Sequence, residues 1–308
     1  MHPTHSPSHE EFIRKKKQKK RIIIAIVVFV FVALVCLSAY LSHRKEVRIS
    51  RIELNGGILV TQADVESKGL THLYGSYFWM YPKNNAFWYP QKDLKKYLLE
   101  TFKRIETIDV KLKGFNTLVV NIKERKPFAL WCNGGETSEL NNVSTTTLDL
   151  ISTSTMQVVV KSKTKEPEDC YFMDLNSTIF AKAPNFSGDA YAKYYGFVKP
   201  TESESPIGKE YMTDTKKFSE ISDFYFKAKD LFIRPLYVVA KENGEFSLVL
   251  SGGGQIYFDF NQPLLKTGQN LEAILRTPAF STSTGSMGDL PVEYIDLRYG
   301  NKLFYKLK

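Results

Sequence analysis

Residues 22–41, from Ile22 to Leu41 (IIIAIVVFVFVALVCLSAYL), run for twenty positions without a charge, and no other feature constrains this chain as strongly. At 1.5 Å per residue a helix of that length covers ~30 Å, the thickness of a bilayer's hydrocarbon core. Ile, Val and Phe dominate the run and would form a mediocre helix in water. In lipid the backbone has no other donor or acceptor to use, so helix is the predicted state. A cleavable leader would carry a shorter apolar stretch of about 7–15 residues followed by small residues. This run is longer and passes into Tyr40, Leu41, Ser42, His43 and Arg44, which predicts an uncleaved anchor bounded by Ile22 and Leu41.

Charge placement orients the anchor. Arg14, Lys15, Lys16, Lys17, Lys19, Lys20 and Arg21 precede it, whereas Arg44, Lys45 and Arg48 follow it. The larger basic cluster stays in the cytoplasm, so the expected topology is single-pass in the plasma membrane, with the C-terminal bulk outside. The net charge of the whole chain is +9. Residues 1–21 hold +5 of it and leave the rest almost balanced, which argues against a nucleic-acid partner. Residues 1–10 carry three His among Pro and Ser and read as a tail, not a metal site.

Beyond the anchor the patterns are those of an α+β protein. Residues 47–54 alternate as a strand whose phase slips near Ser50 and Arg51. Thr61 and Asp64 open a short helix that Gly69 is expected to end. Residues 74–90 are crowded with aromatic rings. They read as a loop packing onto the domain, or alternatively as a platform for sugars or peptides. Leu94, Tyr97, Leu98, Phe102 and Ile105 recur at helical spacing, and residues 107–113 and 117–123 alternate as two strands around Gly114. The predicted unit is strand, helix, helix, strand, strand, with both helices on one face of a three-stranded sheet.

The second outer segment is less regular. Residues 133–169 are rich in Ser, Thr and Asn, with one apolar patch at 156–160. Strands are predicted near 170–176, 178–180, 236–240, 245–250, 255–260, 294–298 and 302–307, with helices at 216–229 and 264–276. Gly252, Gly253 and Gly254 lack the Lys-Ser/Thr of a phosphate loop and read as a turn. Asp174 suits a turn cap, and Asp296 beside Arg298 suggests an ion pair across the sheet. Cys132 and Cys170 flank the Ser/Thr-rich insert and could bridge outside the cytoplasm; the sequence leaves bridged and free forms equally open. Three Asn-x-Ser/Thr tripeptides, at Asn142, Asn176 and Asn185, carry no further meaning. The five His lie at 2, 5, 9, 43 and 72, so a Ser-His-Asp triad would depend on His72 alone. The expectation is therefore no enzyme, no cofactor, no metal and no small-molecule substrate.

Two short motifs carry a family resemblance. Glu124-Arg125-Lys126-Pro127-Phe128-Ala129-Leu130-Trp131 matches Glu-Arg-x-Pro-x-Ala-x-Trp. Tyr294-Ile295-Asp296-Leu297-Arg298-Tyr299 matches Tyr-Ile/Val-Asp-Leu-Arg-Tyr/Phe. With the basic tail, the single anchor and the element order, the chain resembles the bacterial cell-division family FtsQ, also called DivIB. The Tyr-x-x-Asp turn at Tyr171–Asp174 is also similar, with Ser177 where that family has Gly and Phe115-Asn116 where it has a Pro. The resemblance implies a cytoplasmic tail (1–21), an anchor (22–41), a POTRA domain (47–125) and a mixed-sheet β-domain (126–308) bearing the insert. It implies a septum-forming divisome scaffold that recruits small bitopic coiled-coil proteins of the FtsB/DivIC and FtsL types. Recruitment would use strand addition at Tyr294, Asp296, Arg298, Tyr299, Lys302, Leu303, Phe304 and Tyr305. Tyr299 and Tyr305 would be aromatic anchors and Arg298 an orienting contact, while the POTRA domain would meet other membrane-bound division proteins. The alternative is a membrane-anchored POTRA-type module holding wall glycan or exported polypeptide.

Overall fold

The structure is a computed structural model and describes residues 9–133, 169–185, 190–198, 205–231, 233–241, 243–281, 290–300 and 302–308. The apolar patch at 156–160, Asn142 and nearly all of the insert lie outside the described residues. The chain divides into two compact units, Met1–Glu124 and Arg125–Lys308.

The first unit begins with α1 (His9–Ser42), one helix of 34 residues. Within it Lys16–Ser42 is long and apolar enough to cross a membrane, and none of that apolar window is buried inside the protein. A 3-10 turn, Lys45–Val47, leads to β1 (Arg51–Asn55), followed by α2 (Gln62–His72). A two-residue-per-strand hairpin comes next, β2 (Ser76–Tyr77) and β3 (Tyr81–Pro82), then α3 (Gln91–Thr101), β4 (Ile105–Lys113) and β5 (Thr117–Glu124). The sheet order is β1-β5-β4, with β1 parallel and β4 antiparallel to β5. Ile49, Ile52, Val65, Leu94, Leu98, Val110, Leu118 and Val120 form its core.

Three expectations for this unit change. The strand expected at 47–54 starts only at Arg51, because residues 47–49 pair with 84–86 instead: Ala86 N–H donates to Val47 O (2.9 Å) and Ile49 N–H to Asn84 O (2.7 Å). The phase slip near Ser50 is the join between these two pairings. Gly69 does not end α2; it is buried in the helix, where a Cβ would sit 2.5 Å from Ile52 Cδ1. The glycine lets helix and sheet approach closely. The aromatic stretch packs onto the domain only in its second half, where Tyr89 meets the core and Ala86 is buried; Tyr74, Phe78 and Trp79 are 85%, 84% and 89% exposed.

Among the described residues the second unit is built on nine strands: β6 (Ala129–Cys132), β7 (Cys170–Met173), β8 (Ile179–Lys182), β9 (Ala192–Tyr195), β10 (Pro235–Ala240), β11 (Glu245–Leu250), β12 (Gln255–Asp259), β13 (Val292–Tyr299) and β14 (Lys302–Leu307). Their order across the sheet is β14-β13-β12-β11-β10-β9-β6-β7-β8, and it mixes parallel pairs (β6 with β9, β9 with β10, β12 with β13) with antiparallel ones. Helices α4 (Thr215–Asp230) and α5 (Leu264–Leu275) supply Phe218, Phe224, Leu271 and Ile274 to a core with Trp131, Tyr194, Phe246, Phe258 and Ile295. Asp214 caps α4, its carboxylate accepting from Lys217 N–H (3.1 Å). A short α6 (Pro278–Ser281) precedes β13. Cys132 and Cys170 face each other in the β6–β7 register and are joined by a disulfide.

Candidate functional site

β13 and β14 form an antiparallel ribbon at one end of the nine-stranded sheet. β13 is flanked by β12 and β14, so its backbone is already paired on both sides. Among the described residues β14 pairs with β13 alone. On such an edge alternate residues turn their N–H and C=O outward, free to accept another strand. Both strands carry residues expected at one interface. Of the two strands, only β14, with Lys302, Leu303, Phe304 and Tyr305, has a side left unpaired among the described residues, while Tyr294, Asp296 and Arg298 on β13 present side chains alone.

Those side chains share one face. Tyr294, Asp296 and Arg298 alternate along β13, Asp296 is in register with Tyr257 on β12 and Phe304 on β14, and Tyr299 with Lys302. Together they line an open cleft of about 650 Å³. The opposite face carries Ile295 and Leu297 into the core. Leu303 packs against that core, and Tyr305 lies over Phe280 at 5.2 Å, so both turn inward from the cleft. Tyr299 and Phe304 make an edge-to-face pair (5.4 Å) and are 56% and 51% exposed. Phe304, not Tyr305, is thus the second ring on the cleft. Lys306, farther along β14, is held by Glu293 at 2.6 Å.

Arg298 organises the floor. Its Nε and Nη2 donate to the two carboxylate oxygens of Asp296 at 2.9 and 2.6 Å, and its Nη1 lies 2.9 Å from Glu245 Oε2. Its guanidinium sits 5.3 Å from the Tyr257 ring and 5.7 Å from that of Tyr299. The expected ion pair exists, but within one strand face. Burial pushes the Asp296 carboxyl up, and the bonds from the Arg298 side chain and backbone more than offset this, leaving it below the usual carboxylate range. Asn243 and Arg298 likewise hold Glu245 low, against burial. Hydrogen bonding to Asp296 and Glu245 raises Arg298, so its charge is permanent. A guanidinium with these partners braces the cleft and orients Tyr257 and Tyr299.

The residues of the other motif hold structure. Glu124 Oε1 accepts from the N–H groups of Ile58, Leu59 and Val60 (2.8, 2.9 and 2.8 Å). Arg125 Nη1 donates to Asp174 Oδ2, and Asp174 Oδ1 caps the β7–β8 turn through Asn176 and Thr178 N–H (both 2.9 Å). Ser177 stands in that turn at φ 61°, the left-handed region that explains a glycine preference. Its hydroxyl compensates by donating to Met212 O (2.6 Å) and accepting from Met212 N–H (3.2 Å). Trp131 Nε1 donates to Gly196 O (3.2 Å). His72 stacks on Tyr97 at 4.1 Å and meets Asp93 Oδ2 at 2.8 Å, a structural arrangement. Among the described residues no group of three His, Cys, Asp or Glu could hold a metal ion.

No family model and no curated protein matches this chain.

Proposed function

We propose that this protein is a single-pass membrane scaffold of the plasma membrane, its amino-terminal tail cytoplasmic, which lends the edge of β14 to a strand of a second membrane-anchored subunit. The observation that carries the reading is an edge strand with one side unpaired among the described residues, bordered by two exposed rings over a pre-braced cleft. Backbone pairing along β14 would supply affinity in any sequence context, and Tyr299 and Phe304 would supply selectivity by stacking on the partner's side chains.

The resemblance to FtsQ and DivIB directs the choice of partner to the small bitopic coiled-coil division proteins, and the role to septum formation. The strand-helix-helix-strand-strand order with sheet order β1-β5-β4 supports a POTRA-type assignment for the folded part of the first unit. That domain would meet other membrane-bound division proteins.

The test is site-specific photocrosslinking in intact cells. A photoreactive amino acid at Phe304 or Tyr299 should capture a small single-pass membrane protein, whereas the same probe at Lys182, on the β8 edge, should not. Tyr299→Lys and Tyr305→Pro should abolish capture by a probe at Lys302 while the full-length protein stays folded; along β14 the Tyr305 N–H points away from β13, so Pro there removes an outward donor from the edge. Equal capture from both sheet edges, or undiminished capture in both variants, would refute strand addition.

A further inference from the structure

We propose that the aromatic β2–β3 hairpin is a second membrane contact: it docks into the lipid interface of the leaflet at the carboxyl end of α1 and fixes the first unit against the bilayer. The inference rests on the reading of α1 as a membrane span.

The geometry ties the hairpin to that helix. Ser38 lies three residues inside Leu41, or ~4.5 Å along the axis toward the bilayer centre. Its Oγ donates to Val35 O at 2.8 Å, so the Tyr81 hydroxyl, also 2.8 Å away, is the donor to it. Buried Asn85 donates to both Ser42 Oγ (3.0 Å) and Ser42 O (3.1 Å). With the pairing of residues 47–49 to 84–86, the hairpin and its return strand are bonded to the last turn of α1 and to the chain leaving it. The Tyr81 hydroxyl is therefore at the depth of the hydrocarbon boundary.

A line of rings extends from that point. Tyr81 meets Trp88 edge-on (5.8 Å), Trp88 meets Phe87 (6.1 Å), and Phe87 meets Phe115 of the β4–β5 turn (5.6 Å). At the hairpin tip Phe78 and Trp79 extend away from the protein, 84% and 89% exposed. Rings this large are poorly placed in water but suit the headgroup boundary, where Trp and Tyr concentrate because one end is apolar and the other polar. Lys83 lies 5.7 Å from the Tyr77 ring, so a docked hairpin would carry one cation that could reach headgroup phosphate.

The turn itself indicates that the rings are not there to form it. Phe78 and Trp79 have φ of 46° and 48°, and Met80 N–H donates to Tyr77 O (3.1 Å). A turn with both central residues left-handed prefers Asn-Gly, and bulky side chains are disfavoured there. Phe78→Asn/Trp79→Gly should consequently make a better turn and a worse lipid contact.

The experiment uses the full chain in unilamellar phosphatidylcholine–phosphatidylglycerol vesicles, with and without lipids brominated near the headgroup end of the acyl chain. Wild-type protein should lose a component of tryptophan emission to the brominated lipid that aqueous iodide does not reach. That component should be missing in Trp79→Phe, and Phe78→Asn/Trp79→Gly should become more accessible to protease around residue 83 only when vesicle-bound. Resistance to carbonate extraction reports α1 independently. Extraction by carbonate would overturn the span and the inference with it. Carbonate resistance with Trp79 open to iodide and silent to bromine would overturn the hairpin contact alone, leaving those rings to face water, glycan or another protein.

Discussion

Replacing Glu124 tests whether the last residue of β5 pins the loop at residues 56–60. One oxygen accepts three backbone N–H groups, and in Glu124→Ala all three lose that partner. A hydrogen bond to a charged acceptor contributes about 1.5–3 kcal/mol when solvent cannot substitute. Ile58 and Leu59 are 88% and 64% exposed, so water replaces the carboxylate at two of the donors; Val60 is buried, and water does so poorly at the third. The expected local cost is therefore ~2 kcal/mol for Glu124→Ala and about 1 kcal/mol for Glu124→Gln, which keeps an acceptor but not the charge. Hydrogen exchange on the full-length protein reads this directly: amides of 58–60 should exchange ~30-fold faster in the Ala variant and ~5-fold faster in the Gln variant. The pH dependence adds a sign. Burial raises the Glu124 carboxyl but the three N–H groups hold it below its ordinary value, so the stabilisation is fully present above the unfolded value near ~4.3 and is lost as pH falls through the depressed folded value. After correction for intrinsic exchange, the gap between wild type and Gln should persist from neutral pH down to that window and close below it. Amides 58–60 that exchange identically in all three proteins at neutral pH would refute the pinning argument.

Arg298→Ala strands the 7%-exposed Asp296 carboxylate without its guanidinium. The expected cost is about 2–3 kcal/mol in chemical denaturation, and Asp296→Asn combined with Arg298→Leu should cost less than the single change. Removing the disulfide by Cys132→Ala/Cys170→Ala opens a loop of sequence separation 38. Loop entropy then predicts a loss of ~4 kcal/mol, and a loss under ~1 kcal/mol would show that the insert stays constrained without the bond. Gly69→Ala should destabilise by ~1–3 kcal/mol through the clash with Ile52 Cδ1. Ile52→Val deletes that methyl, so the double variant should be more stable than Gly69→Ala alone.

Elements with strong periodicity were legible in the sequence. The pattern read at 302–307 is β14, that at 216–229 falls within α4, and that at 264–276 within one residue of α5. The reasons for failure elsewhere are physical. β9 is a four-residue strand buried between neighbours, too short for any period to emerge. Gly69 looked like a helix stop because a glycine that ends a helix and one that admits a neighbour are the same letter. In the aromatic stretch composition does not separate the rings that pack, such as Tyr89, from those that stay exposed, such as Trp79, and only its bonds to Ser38 and Ser42 place it beside α1. In the candidate cleft Tyr294, Asp296, Arg298, Tyr299, Lys302 and Phe304 come together, whereas Leu303 and Tyr305, expected beside them, turn away. Alternation puts Tyr305 on one face and Phe304 on the other, yet which face meets the core depends on α6 and Phe280, remote in sequence.

Most residues of the two motifs that carried the family resemblance hold the fold; Tyr299 of the second, with its ring exposed, is the exception. Glu124 pins a loop in its own unit; in the other, Arg125 meets the Asp174 turn cap, Trp131 fills the core, and Asp296 and Arg298 satisfy each other and Glu245. A residue already committed to such partners has little left to offer a second protein. Its substitution would lower function by disturbing the ribbon, which an activity assay alone would mistake for lost contact. Among the described residues the groups left for recognition are the outward backbone of β14 and the exposed rings of Tyr299 and Phe304. Strand addition asks little of side-chain identity because the backbone does most of the binding. Specificity in this proposal therefore resides in two aromatic positions, and a partner should tolerate Tyr299→Phe while rejecting Tyr299→Lys.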